Sequence, residues 1–277
     1  MSFKPFTILI DKTPRTFTKP VVMGILNITP DSFYDGPVNL KTDFLHRAES
    51  MLKEGAAIID MGGQSTRPGA ERLSVDEEWS RIAGKIEAIR KEFPESIVSI
   101  DTFYGTIAER AANEGAQIIN DVSAGSIDPS IIQVASNLRL PYVLMHMQGE
   151  PQTMQNNPQY SDIIQEEILF LSEKINELTA QDVNDIIIDP GFGFGKTQEH
   201  NFELLQNLGA LKILERPILV GVSRKKMIQR AIEKEAQEAL NGTTAANTIA
   251  ALKGASILRV HDVAAAADAL AIVRQLT

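Results

Sequence analysis

Polar or charged side chains recur directly after short apolar runs along the chain. Asn27 closes "GILN", Asp60 stands in "IIDMGG", and Asp101 ends "SID". Asn120 and Asp121 end "IND", His146 follows "LM", and Asp189 ends "IIID". Arg224 and Lys225 follow "GVS", and Arg259 and His261 share "RVH". Thr66 and Arg67 come a few residues after Asp60, in "STRPG". One such acid is most simply a turn former or helix cap; the whole set, brought into register, would ring one pocket. The ring divides by chemistry. Asp101, Asn120 and Asp189 supply acceptors and one amide, which suits a flat heterocycle with an amidine-like N–H edge, such as a pterin, because a carboxylate takes two parallel N–H bonds. Arg67, Arg259 and His261 form a cationic group that suits a phosphate or pyrophosphate. Lys225 could serve either half.

The segment "DPGFGFGKT" (189–197) looks like a phosphate cradle but fails as one. Gly191 and Gly195 stand one residue too close for G-x-x-x-x-G-K. Pro190 occupies the place of the first glycine and has no N–H to offer. The third glycine also comes one residue early for G-x-G-x-x-G. Asp189 is therefore read as its first functional group. The glycines either let backbone pass close to a flat ring or form a loose loop.

The elements that position these residues alternate. Apolar, β-branched runs at 21–26, 57–61, 97–100, 117–120, 142–145, 186–189, 218–222 and 256–260 read as strands buried on both faces. Helical patterns fill 40–54, 75–93, 106–114, 129–138, 162–180, 199–214, a stretch ending near Lys253, and 262–276. Ser74 with Glu77 forms a capping box, and Asp128-Pro129 supplies a cap with a first-turn proline. "KEGA", "NEGA" and "LKGA" repeat one joint, in which a C′ glycine ends a helix and leads into a strand. Alternating β and α units over this length predict a single (β/α)8 barrel spanning 1–277, with a doubly wound sheet as the alternative. Residues 6–17, within an N-terminal extension of 1–19, read as a hairpin plugging the barrel bottom.

Composition narrows the function. The chain has 277 residues, 43% of them hydrophobic, no cysteine and a net charge of −9. Disulfides, thiolate catalysis and Cys-ligated zinc are excluded. The acidic balance argues against a nucleic-acid or membrane surface. No run approaches the ~20 apolar residues of a membrane span, and Lys4, Pro5, Asp11 and Lys12 interrupt the N-terminus, so no signal-peptide core is expected. A cytoplasmic protein is expected.

"MGILNITPDSF" (23–33), "GGQSTRPGA" (62–70), "SIDT" (99–102), "IINDV" (118–122), "LMHMQG" (144–149), "DPGFGFGK" (189–196), "GVSRK" (221–225) and "RVHDV" (259–263) together resemble the dihydropteroate synthase family, in order and over nearly the whole chain. The resemblance implies condensation of 6-hydroxymethyl-7,8-dihydropterin pyrophosphate with p-aminobenzoate, giving 7,8-dihydropteroate and pyrophosphate. It implies that Asp101, Asn120, Asp189 and Lys225 hold the pterin. Asn27, Arg259 and His261 would clamp the pyrophosphate, with Mg²⁺ reached through Asn27. Thr66 and Arg67 would lie on a loop that closes over the substrates, and Met145 would line the pterin pocket. It also implies dissociative chemistry, in which pyrophosphate leaves before the amine attacks, so that Lys225, Arg259, His261 and Asp101 act by electrostatics and no residue serves as nucleophile. A Schiff-base role for Lys225 would need a desolvated lysine; Arg224 and Lys226 are expected to crowd it instead. The family pairs through its last helices, so a homodimer is expected. The chain departs from many relatives at Gln64, Phe103, Tyr104 and Lys226. Asp60 and Asp121 are open between turn acceptor and site residue, whereas His146 is expected to be packed or hydrogen-bonded rather than metal-bound. Two other readings are a pterin-binding methyltransferase barrel, which would need neither "STRPG" nor the Arg259/His261 pair, and a non-catalytic pterin-binding protein.

Overall fold

The alternation of apolar runs and amphipathic stretches resolves into strands and helices in a computed structural model, which describes residues 3–28, 43–64, 72–149, 154 and 158–276. Strands β1 (Phe6–Ile10) and β2 (Thr13–Phe17) pair antiparallel. Asp11 and Lys12 both take positive φ between them, the geometry of a two-residue hairpin turn that matches strand twist. Eight parallel strands follow: β3 (Val21–Asn27), β4 (Ala56–Gly62), β5 (Ile97–Asp101), β6 (Ile118–Asp121), β7 (Tyr142–Met145), β8 (Ile186–Asp189), β9 (Leu219–Val220) and β10 (Ile257–Val260). Their spatial order is 8-7-6-5-4-3-10-9. A parallel bridge from Ile188 to Ile218 joins the two ends, with Ile188 N–H donating to the Pro217 carbonyl at 2.9 Å. The sheet is a barrel, and a doubly wound order is excluded.

Side chains alternate across a strand, and in this barrel the alternation sorts two cores. Val22, Ile59, Val98, Ile119, Leu144, Ile188, Val220 and Leu258 face the helices. Met23, Ile58, Ile97, Ile118, Val143, Ile187, Leu219 and Ile257 face inward as an apolar floor. That floor packs on Phe6, Ile8, Ile10 and Phe17 of the hairpin, whose Phe6 and Phe17 rings stack at 4.9 Å. Asp11 at the hairpin tip accepts from Arg90 at 3.0 Å and from Gln117 at 2.5 Å. The hairpin therefore seals the bottom, as its pattern suggests, and the strand C-termini remain as the open mouth.

Three elements differ from the sequence reading. The stretch 75–93 is two helices, Val75–Ile82 and Lys85–Glu92, broken where Gly84 takes φ +74°. The pattern 199–214 ends as an α-helix at Gln206 and continues as a 3-10 turn, Leu208–Leu214. The strand read at 218–222 contracts to β9, Leu219–Val220. The helix read at 40–54 is present as Asp43–Lys53, residues 40–42 lying outside the described set. The Ser74–Glu77 capping box is present. Gly55, Gly115 and Gly254 adopt φ of +102°, +105° and +112°, as the repeated joint requires.

Candidate active site

One step of two residues up from the apolar floor, the inward face changes character. Ile58 leads to Asp60, Ile97 to Ser99, Ile118 to Asn120, Val143 to Met145, Ile187 to Asp189 and Ile257 to Arg259. A further step reaches Asn27, Gly62, Asp101, Ser223 and His261. The inner wall is thus greasy at the bottom and polar at the mouth, and alternation alone carries the polar residues into one space.

Four of them are bonded. Arg259 Nε donates to Asp60 Oδ2 at 2.6 Å, and its Nη2 bonds Asp101 Oδ2. Asn120 Nδ2 donates to the same Asp60 oxygen at 3.0 Å. Burial pushes the Asp101 carboxyl up to about 7, opposed by Arg259, with Asp60 and Asp121 adding to the rise. Burial disfavours the Arg259 cation, but Asp60 and Asp101 outweigh it and raise its pKa further. This corrects two expectations. Arg259 is not a rim cation apart from the acids; it is clamped between two of them. Asp60, open between turn and site, belongs to the site. Asp121 has the opposite parity and accepts from Ser123 N, Gly125 N and Tyr142 Oη at 2.6–2.8 Å, which makes it a turn acceptor.

Asp189 enters beside this group. Its Oδ1 accepts from Gly191 N at 2.7 Å. Burial pushes its carboxyl up, while Lys225, the Gly191 N–H, Arg259 and Lys196 pull it back. Lys225 Nζ donates to the Phe192 carbonyl and lies 4.7 Å from the centre of the Phe194 ring. Burial draws this ammonium down to about 8, with Asp189 opposing the shift. The expectation that Arg224 and Lys226 crowd Lys225 fails. Arg224 turns away to pair with Asp262 at 2.7 and 2.8 Å, and Lys226 is exposed at the start of a helix. Lys225 is half-buried, its ammonium held by the Phe192 carbonyl.

The glycines of 189–197 now have a reason. A Cβ on Gly191 would lie 2.0 Å from the His146 carbonyl oxygen, and one on Gly195 would lie 2.4 Å from that of Gln148. Both take positive φ. The loop needs glycine because it passes hard against the segment after β7, not because it is loose.

Asn27 and His261 reach the same mouth. A Cβ at Gly62 would meet Asp101 Cβ at 3.4 Å and Asn27 Oδ1 at 3.7 Å, which places Asn27 Oδ1 beside Asp101 across Gly62. His261 Nδ1 is 3.0 Å from Ser223 Oγ, which also accepts from His261 N at 3.2 Å. Met145 joins Phe103 and Val122 in an apolar wall flanked by Met147 and Phe194. Thr66 and Arg67 lie outside the described residues. His146 faces away from the barrel and is hydrogen-bonded, as expected, to charged partners taken up below.

Sequence reasoning missed Ser223 and the buried pair Gln64–Glu78. Gln64 Nε2 donates to Glu78 Oε2 at 2.6 Å, and both side chains are buried. Phe103 and Tyr104 also gain a reason: the Arg72 guanidinium lies over both rings at 4.9 and 5.1 Å, and Tyr104 Oη donates to the Leu73 carbonyl at 2.7 Å. Burial raises the Glu78 carboxyl to about 7, opposed by bonds from Thr102 and Gln64. A raised carboxyl stabilises the fold below its unfolded pKa, and that contribution is lost as pH rises through 7. Glu78→Gln is expected to match wild type in Tm below about pH 4.5 and to exceed it progressively up to about pH 7. Thermal melts across that range check it; a Tm difference independent of pH would reject it.

Comparison with known proteins agrees with this geometry. A family model described as pterin binding enzyme matches residues 23–261. The dihydropteroate synthase of Haemophilus influenzae is 44% identical over 256 residues, covering 91% of this chain and 92% of that protein. A Yersinia pestis dihydropteroate synthase, solved with a sulfonamide drug complex, superposes with a TM-score of 0.92 at 39% identity, covering 98% and 99% of the two chains. A Xanthomonas albilineans enzyme of the same name, in complex with 7,8-dihydropteroate, gives 0.87 at 35% identity, covering 98% of each chain. With matches over almost its entire length, the chain belongs to the pterin-binding enzymes and, among them, to the dihydropteroate synthases.

Proposed function

We propose that the chain condenses 6-hydroxymethyl-7,8-dihydropterin pyrophosphate with p-aminobenzoate, forming 7,8-dihydropteroate and pyrophosphate. The observation that carries this reading is the single polar mouth in which Asp60, Asp101, Asn120 and Arg259 are bonded beside Asp189 and Lys225. Asp189 offers the flat donor edge of a pterin a carboxylate already oriented by Gly191. Asn120 and Lys225 bound the same space, and Met145 and Phe103 supply apolar surface for the ring.

The bond to break joins the pterin methylene carbon to the ester oxygen of the diphosphate. Its electron pair leaves with the diphosphate, and the carbon then bonds the aryl amine, which loses a proton. An aryl amine is neutral near pH 7, so attack needs no strong base. The harder step is departure, and positioned cations lower its barrier by matching the charge that builds on the leaving group. Arg259 and His261 are placed for that, while Asp101 and Asp189 offset positive charge spreading into the pterin. This polarity favours departure before capture.

Mg²⁺ fits as a partner of the diphosphate rather than of the protein. Among the described residues no three His, Asp or Glu side chains form a metal cage. Asn27 presents one neutral oxygen beside Gly62 and Asp101. A hard cation that takes most ligands from phosphate and water suits such a donor, and it would neutralise charge on the leaving group.

The test is direct. Incubation with the pterin pyrophosphate, Mg²⁺ and labelled p-aminobenzoate is expected to yield labelled pteroate; its absence would reject the reading.

A homodimer is also proposed. Helices Leu240–Lys253 and Val263–Val273 pack together at the end of the chain and expose Ile249, Leu252 and Ile272. Light scattering at micromolar concentration should give about twice the 30.4 kDa chain mass; a monomeric mass would end the proposal. A cytoplasmic location is proposed on the acidic composition; among the described residues no helix is long and apolar enough to cross a membrane.

A further inference from the structure

Behind the barrel wall lies a charged cluster that the chemistry above does not use. Lys196, the last residue of "DPGFGFGK", is buried with its ammonium 3.0 Å from Glu167 Oε1 and 3.2 Å from each of the Gly191 and Phe194 carbonyls. Glu167 is fully buried and comes from the helix Ile163–Thr179. His146 Nδ1 stands 2.8 Å from the same Glu167 oxygen and 3.0 Å from the ammonium. The ammonium is thus within hydrogen-bond reach of both carbonyls and of His146 Nδ1, and it forms an ion pair with Glu167, on which His146 also closes.

A buried ion pair is weak evidence for stability, since apolar replacements often match it. What this one does is geometric. It fixes the Gly191 and Phe194 carbonyls, which bracket Phe192 and Gly193, in a loop whose Gly191 N–H holds Asp189 and whose Phe192 carbonyl holds Lys225. Tyr160 Oη, donating to the Gly195 carbonyl at 2.9 Å, secures the far side.

We propose that Lys196, anchored on Glu167, is a positioning residue for the reaction: it pins the glycine loop so that Asp189 and Lys225 project together into the barrel. The proposal rests on the assignment of Asp189 to the pterin. The geometry has an electrostatic consequence. Burial raises the Asp189 carboxyl, and the groups that favour its ionised form are Lys225, the Gly191 N–H, Arg259 and Lys196. Lys196 is itself faced by Glu167, His146 and Asp189. Loss of the Lys196 charge removes one of the influences that lower the Asp189 carboxyl, so its ionisation moves to higher pH.

The experiment measures calorimetric affinity for 6-hydroxymethylpterin, without diphosphate, across pH, in wild type, Lys196→Met, Lys196→Met/Glu167→Gln and Asp189→Asn. The double variant removes both charges together and so avoids a lone buried carboxylate, which keeps the test available if the single variant does not fold. The expected result is an affinity at least about tenfold weaker in both Lys196 variants, with the lower pH midpoint of binding shifted upward. A merely structural role would lower Tm without moving that midpoint. Wild-type affinity and midpoint in the double variant, with Asp189→Asn weakened, would overturn the role of Lys196 alone. Wild-type affinity in Asp189→Asn would overturn the pterin assignment and this inference with it.

Discussion

Arg259→Ala should abolish most activity and loosen the fold at once. The guanidinium contacts Asp60 and Asp101, and Asp60 is fully buried. Truncation leaves two carboxylates facing each other inside the barrel. Breaking one side of a buried pair costs ~3–5 kcal/mol, because the remaining charge is uncompensated. Removing a donor that matches charge in the transition state costs ~10²–10³ in kcat, and the collapse of the acid pair adds to that. A fall in kcat/KM of at least about 10³-fold, with a lowered Tm, is the expected result. The pH dependence has a definite sign. Without Arg259, which lowers the Asp101 carboxyl, that acid titrates higher still in the folded state. Raised carboxyls favour the fold at low pH and lose that contribution as pH rises. The Tm deficit should therefore grow as pH rises through and above about 7, where Asp101 titrates with Arg259 in place. Adding Asp60→Asn should recover part of the Tm but none of the activity. Wild-type kcat/KM with unchanged Tm would remove Arg259 from the site.

That coupling of acid and cation is what the sequence could not express. The strands were legible because parallel strands buried on both faces read as apolar runs, and the capping box and C′ glycines marked helix ends. The mouth was legible because the polar residues cluster at those strand ends. Which polar residue faces inward was legible in principle, since Asp60 and Arg259 sit two residues above Ile58 and Ile257, on the inward file. Asp121, one residue past Asn120, faces the other way. Contact across the barrel was not legible. Arginine is long enough to reach strands far from its own in sequence, so charge type alone suggested a separate cationic rim. The break at Gly84 was hidden because the apolar spacing of 75–93 continues through it. The crowding expected at Lys225 assumed that sequence neighbours are spatial neighbours, whereas a positive φ at Arg224 and the Asp262 carboxylate carry that guanidinium away.

Asp189→Asn gives the complementary result, a loss confined to the pterin. Asparagine preserves volume and can still accept from Gly191 N with one oxygen. Its other terminus is then an NH₂, so a donor faces the donor edge of the pterin where a carboxylate oxygen stood. Hydrogen bonds to charged groups contribute ~1.5–3 kcal/mol, which corresponds to a loss of about 10- to 150-fold in affinity. The loss should appear with 6-hydroxymethylpterin alone, because this side chain addresses the ring and not the diphosphate. Stability should hardly fall. Burial already works against the ionised form of Asp189, and the neutral amide removes that cost together with the attraction to Lys225. Lys225 then loses the partner that opposes its desolvation, and its ammonium drops further below about 8. The residual activity of Asp189→Asn should therefore fall away at a lower alkaline pH than that of wild type. Calorimetry measures the first effect and a pH–rate profile the second. Equal affinity of the two proteins for the plain pterin would show that this carboxylate, despite lying at the mouth, holds the loop and not the substrate.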